Sequence, residues 1–186
     1  MLARDKVLFY QHNLAPASMT ASKQVLSWNA SQGYMLTHNL TETAYGGGLQ
    51  SSWLAVVGAF QTRVFARYAD ARITSYDHLA DKVTRTAFDG FSVTTNWDAT
   101  QPFTAGAHRL APSGILVANA DSSLVAGVFT VYNNATLSNG DHYLIEERGA
   151  SEIIVRQPMG GHHAANPSTF RLGRLSTDSN MGIWPR

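Results

Sequence analysis

Paired histidines, paired glutamates and a glycine run are the parts of this sequence whose residue types could do chemistry. His162 and His163 sit in QPMGGHHAANPST, from Gln157 to Thr169. Imidazole is the commonest metal ligand and a frequent general base, so the pair raises a zinc site or an acid–base loop. The spacing argues against both. Side chains of neighbouring residues on an extended backbone leave on opposite faces, and a zinc site needs three or four ligands. No H-x-H, H-x-x-x-H or H-E-x-x-H spacing occurs. His142 and Asp178 are the nearest further ligands, and both lie in other segments. The stretch reads as a solvated hinge made by Gly160 and Gly161, on which the histidines ride.

Glu146 and Glu147 meet a similar objection. Glycoside hydrolysis needs two carboxyl groups facing each other about 5 to 9 Å apart, and adjacent strand residues cannot do that. Asp98 and Asp141 are conceivable partners for Glu147, but no spacing ties them to it. Asp141-His142 would also diverge on a strand. A serine nucleophile on a G-x-S-x-G turn is absent, and YGGGLQSS matches neither phosphate-loop pattern. No cofactor or metal is implied. A small hydrolase built from some of His108, His142, His162 and Glu147 ranks last among the readings.

The four tryptophans are the remaining handle. Trp53 and Trp97 lie in or at the end of strand-like runs and are expected in the core. Trp28 and Trp184, with Ile183, sit in polar or unpatterned surroundings. They are the candidates for an interface or for stacking on a sugar ring.

The elements that would position such residues read mainly as strands. Phe91 to Trp97, Gly114 to Ala120, Leu124 to Tyr132, His142 to Arg148 and Glu152 to Gln157 are apolar or β-branched runs separated by turn residues. The closeness of the Gly114 and Leu124 runs predicts a hairpin. A three-residue loop, Gly149 to Ser151, sets Arg148 opposite Glu152 and Ile145 opposite Val155. A shorter or longer loop would oppose Glu147 and Glu152, a like-charge pair. One helix is expected at about 75–88, capped by Thr74 or Ser75, with Leu79, Val83 and Ala87 on one stripe and an Asp81–Arg85 pair. Residues 51–72 fit either period, and their β-branched and aromatic content favours strands. Residues 11–50 read as loops with short strands at Gln24 to Trp28 and Tyr34 to Thr37.

Composition bounds the rest. The chain has 186 residues and 44% apolar content, enough for one domain with a real core. Charged residues are only 15%, below the usual quarter, which is easier to understand if part of the surface is covered by other subunits. Net charge is +1 with no basic stripe, so a nucleic-acid partner is not expected. There is no cysteine, hence no disulfide framework or thiolate site. The N-terminus does not read as a signal peptide, and the longest apolar run, Leu54 to Phe60, is far short of the roughly 20 residues of a membrane span. The sequons at Asn29, Asn39 and Asn134 are expected by chance in so Asn-, Ser- and Thr-rich a chain.

NLAPASMTAS and HNLTETAYGGGLQSSW resemble the opening of discoidin-type β-sandwiches, over about the first third of the chain. The aspartate–glycine usual between those pieces is missing here. The resemblance implies a jelly-roll sandwich and a carbohydrate ligand.

The expectation is therefore a mainly β protein, an antiparallel β-sandwich or jelly roll with one short helix and extended terminal arms. Residues 1–159 form the domain, loop-rich over 1–50, and 160–186 form a C-terminal arm, either frayed or docked, for which Ile183 and Trp184 favour docking on a neighbouring chain. The expected role is a non-enzymatic structural subunit of a virion, a phage tail-like structure or a surface appendage, self-associating or joined to other subunits. A carbohydrate-binding module is the alternative.

Overall fold

A computed structural model describes residues 10–14, 23–38, 58, 60–121, 124–132, 134–136, 143–148, 152–156, 170–172, 175–177 and 181–185. The protein is mainly β, an antiparallel sheet curled into a half-barrel with one short helix. The strands of the main sheet are β3 (Ile73–Ala80), β4 (Val83–Phe88), β5 (Phe91–Asn96), β6 (Phe103–Ala105), β7 (His108–Leu110), β8 (Ile115–Asn119), β9 (Val125–Tyr132), β10 (Ala135–Thr136), β11 (Tyr143–Arg148), β12 (Glu152–Arg156) and β15 (Met181–Pro185). The order across the sheet is β15-β12-β11-β9-β8-β5-β4-β3, with β6, β7 and β10 as side branches. Spatial order follows chain order along this path, which is the topology of a meander; jelly rolls are built on Greek-key crossovers. Outside it, β1 (Tyr10–Leu14) pairs in parallel with β2 (Met35–His38) across the helix α1 (Lys23–Gln32), and β13 (Phe170–Leu172) pairs with β14 (Leu175–Thr177).

Register fixes two continuous rows of residues from edge to edge. One row runs Tyr76, Thr86, Val93, Val117, Ala126, Glu146, Ile154, Ile183. Its neighbour on the opposite face runs Asp77, Arg85, Thr94, Leu116, Gly127, Ile145, Val155, Gly182. Strand β9 is the hub. Gly127 is opposed by Leu116 of β8 and Ile145 of β11, and Val131 by Arg109 of β7 and Thr136 of β10, so both its edges are paired. Gly127 has to be glycine, because a Cβ there would run into the Ile115 carbonyl oxygen and lie 2.5 Å from Phe129 Cζ.

The core lies between the Val93–Val117–Ala126 face and a helical cover. Phe60, Val64, Phe65 and Tyr68 are buried there with Ala30, Phe88 and Ile115. Residues 60–63 are helical and Phe65–Arg67 forms a 3-10 turn, where strands are expected from composition. Phe60, Val64 and Tyr68 would share a face in either period, but Thr62 and Ala66, which a strand would place beside them, are exposed while Phe65 is buried. The expected strand at Gln24 to Trp28 is likewise helix α1, which lies against β4 and β5. Among the described side chains from Ser27 to Gln32 the buried ones are small and mostly polar, Ser27, Asn29, Ala30 and Ser31. Gly33 ends it at φ 62° in a Schellman motif, with Tyr34 N–H donating to Asn29 O (2.8 Å) and Gly33 N–H to Ala30 O (3.1 Å). Tyr68 Oη donates to Ala30 O (3.1 Å), and Ser27 Oγ donates to Ser113 O, tying helix, cover and sheet together.

The largest correction concerns 75–88. No helix forms there; the segment is the hairpin β3–β4, turning at Asp81-Lys82. Lys82 takes the left-handed φ of 57° that sequence rules reserve for Gly or Asn, so the turn is invisible in the sequence. Arg85 does not pair with Asp81 but with Asp77 directly across the ladder (3.8 Å). The expected β8–β9 and β11–β12 hairpins form, the latter in the expected register with Arg148 opposite Glu152 and Ile145 opposite Val155. Ile145 is fully buried. Met181–Pro185, at the end of the expected arm, is strand β15, paired with β12 of the same chain.

Candidate functional site

The exposed part of this fold with the most definite construction is the β3 side of the sheet. Among the described residues β3 pairs only with β4, so one row of its backbone N–H and C=O groups has no ladder partner. Six of its eight residues are exposed and two are half-buried. Tyr76 (48% exposed) and Leu79 (42%) are two of the three large exposed hydrophobic residues among those described, and Tyr76 meets His78 edge-to-face at 5.6 Å. Tyr76 and His78 stand opposite Thr86 and Thr84, and Ser75 and Asp77 opposite Ala87 and Arg85. The ladder is irregular at Thr74 and at Leu79, leaving Ser75 to His78 as its regular stretch.

The hairpin is held firmly at its tip. Trp97 N–H donates to Lys82 O (2.7 Å), and the Trp97 indole N–H donates to Thr84 Oγ1 (2.8 Å). Lys82 Nζ donates to Asp98 Oδ2 (3.2 Å). Asp98 organises the loop beyond, its Oδ1 accepting from Thr100 N–H (2.8 Å), Thr100 Oγ1 (2.9 Å) and Gln101 N–H (2.9 Å). These donors, the Thr100 backbone N–H first, hold its carboxyl far below the usual carboxylate range. Asn96 Nδ2 closes the arrangement by donating to Gln101 O (2.7 Å) and Ala111 O (3.0 Å). Asp98 is thus an architectural residue, satisfied by its own loop.

The residues singled out from the sequence are scattered. Trp28 is the third exposed hydrophobic residue (43%), edge-on to Tyr34 at 5.2 Å on α1. Ile183 and Trp184 register opposite Ile154 and Ile153, so these neighbours belong to opposite faces of the sheet. Trp97, expected in the core, is half-buried and is not among the buried core residues. Gly160, Gly161, His162, His163, Trp53 and His142 lie outside the described residues. Glu146 and Glu147 register opposite Ile154 and Ile153, again on opposite faces.

His108 has a specific environment. Its ring packs against Phe129 (5.3 Å) and Tyr132 (5.1 Å), tilted by 31° and 36°, and those two rings also meet each other at 5.6 Å. Burial there pushes its pKa down. Among the described residues no group of three His, Cys, Asp or Glu is placed to hold a metal ion, and no helix is long and apolar enough to cross a membrane. Of the sequons, Asn29 is fully buried in α1 and Asn134 is exposed at a left-handed turn before β10.

Sequence reasoning missed the β3 edge because it read these residues as a helix. The β-branched and aromatic residues Ile73, Thr74 and Tyr76 were the available signal for a strand there, outweighed by the Leu79–Val83–Ala87 stripe. Comparison with protein-family models, with curated proteins and with solved structures finds no match for this chain.

Proposed function

We propose that this chain is a non-enzymatic assembly subunit that associates with copies of itself through the open side of its sheet. A virion, a phage tail-like structure or a surface appendage is the kind of particle such a subunit builds. The observation that carries the reading is β3: eight residues long, exposed on both faces and unpaired along one edge among the described residues. Such an edge is a template for another strand, and soluble proteins usually cover or shorten it. A charged content of 15% agrees with a surface partly covered in an assembly. Size-exclusion chromatography with light scattering tests it. The expected mass is a multiple of 20.2 kDa at micromolar concentration; a monomer throughout that range would refute the proposal.

A carbohydrate-binding role is the second reading, favoured by the exposed Trp28 ring beside Tyr34. Oligosaccharides would then quench tryptophan fluorescence in the native protein and not in W28A.

A further inference from the structure

Resting on the assembly reading, we infer that β3 pairs antiparallel with β3 of a second copy, about a two-fold axis through Tyr76. The other end of the sheet is a poorer template. Strand β15 contains Pro185, which has no N–H to donate, whereas β3 contains no proline. The regular part of β3 is Ser75 to His78, bounded by the irregularities at Thr74 and Leu79. This bounds where an axis can stand.

Residues directly opposite each other in a ladder share a face, and faces alternate along a strand. A two-fold axis perpendicular to the sheet must therefore pass through a residue, not between two. Within the regular stretch the central choices are Tyr76 and Asp77. An axis at Asp77 sets two carboxylates against each other, which is destabilising. With the axis at Tyr76, Asp77 faces Ser75 of the second copy, and Tyr76 faces Tyr76.

The charge pattern suits this register. Within one chain Ser75 Oγ already donates to Asp77 Oδ2 (3.1 Å), and Arg85 stands 3.8 Å from the same carboxylate. Across the axis each carboxylate meets a hydroxyl-bearing residue, with a guanidinium behind it. On the other face His78 meets Thr74, flanking a central pair of half-exposed tyrosine rings. An edge charge that usually discourages pairing here selects one register.

The absence of cysteine from the chain allows a clean cross-linking test. Directly opposed residues have Cα atoms about 4.5–5.5 Å apart, inside the disulfide range of about 4.4–6.8 Å. Two copies of His78 would be offset by four residues, roughly 13 Å along the strands. Under mild oxidation Y76C should shift from the monomer to the dimer band on a non-reducing gel, while H78C stays monomeric. A mixture of T74C and H78C, which keeps Tyr76, should give the mixed dimer. Reduced variants are checked for native circular dichroism. Cross-linking only in a mixture of Y76C and H78C would move the axis to Asp77 and overturn the inference. Absence of every cross-link in a protein that light scattering shows to be oligomeric would overturn it and leave the assembly reading standing. A wild-type monomer would remove both.

Discussion

Three threonines under helix α1 offer a test whose expected signs differ. Thr84, Thr86 and Thr95 are buried on β4 and β5, the strands against which α1 lies. Thr84 Oγ1 accepts the Trp97 indole N–H at 2.8 Å. Thr86 Oγ1 and Thr95 Oγ1 have no hydrogen-bond partner among the described residues. A buried hydroxyl left unpaired costs about 1–3 kcal/mol, and replacing it with an apolar group of the same shape removes that cost. T86V and T95V should each therefore stabilise the fold by about 1–3 kcal/mol. For a chain of this length that raises Tm by about 2–4 °C per kcal/mol. T84V has the same shape change and the opposite sign. It strands the indole N–H, at the low end of the same range because Trp97 is half-buried and water can reach it. Thr84 faces Thr95 and Thr86 faces Val93, which makes Thr86 and Thr95 diagonal neighbours about 7–8 Å apart. The double variant should then be close to additive. Thermal and urea melts followed by circular dichroism, with an unchanged m-value, measure all four. Losses in T86V and T95V as large as that in T84V would show their hydroxyls to be satisfied and refute the reasoning.

Two further perturbations address the other face and the aromatic stack. G127A places a methyl against the Ile115 carbonyl oxygen, an obstacle that cannot swing aside. We expect a loss at the upper part of about 1–3 kcal/mol, read as a lower urea midpoint; an unchanged midpoint would mean that β8 and β9 part freely. The His108 pKa is lowered by burial, so the unfolded chain binds the proton more readily. Its contribution to stability is complete above the unfolded value of about 6.5 and declines as pH falls below that toward the folded value. The limiting slope for one proton is about 1.4 kcal/mol per pH unit, and the half-exposed ring should show only part of it. H108F keeps the stack with Phe129 and Tyr132, and should flatten that part of the stability–pH curve; an unaltered curve would assign the slope to another group.

The sheet was legible wherever side-chain chemistry and turn chemistry agreed. Asp89-Gly90, with Gly90 at φ 81°, announces the turn between β4 and β5, and the like-charge argument over Glu147 and Glu152 led to the register of β11–β12. Where they disagreed, the sequence misled. Lys82 takes a conformation usually given to glycine, so β3 and β4 fused into one apparent helical stripe. Helix α1 failed in the opposite way, because the side chains it buries from Ser27 to Ser31 are small and mostly polar and give no apolar periodicity to detect. The β3 edge could not be foreseen from residues alone, since an edge is a property of which strand comes last.

The agreement of spatial and chain order has a consequence for how the molecule forms. Along the path β3-β4-β5-β8-β9-β11-β12 each strand added to the growing ladder meets a neighbour already made, so the sheet can be laid down in the direction of synthesis without threading. Most pairings close short loops and cost little entropy. The exception is β15, which returns to β12 from beyond Arg156. Until Met181–Pro185 leaves the ribosome, the edge of β12 waits open, and the strand that covers it joins after β3 to β12 have been laid down.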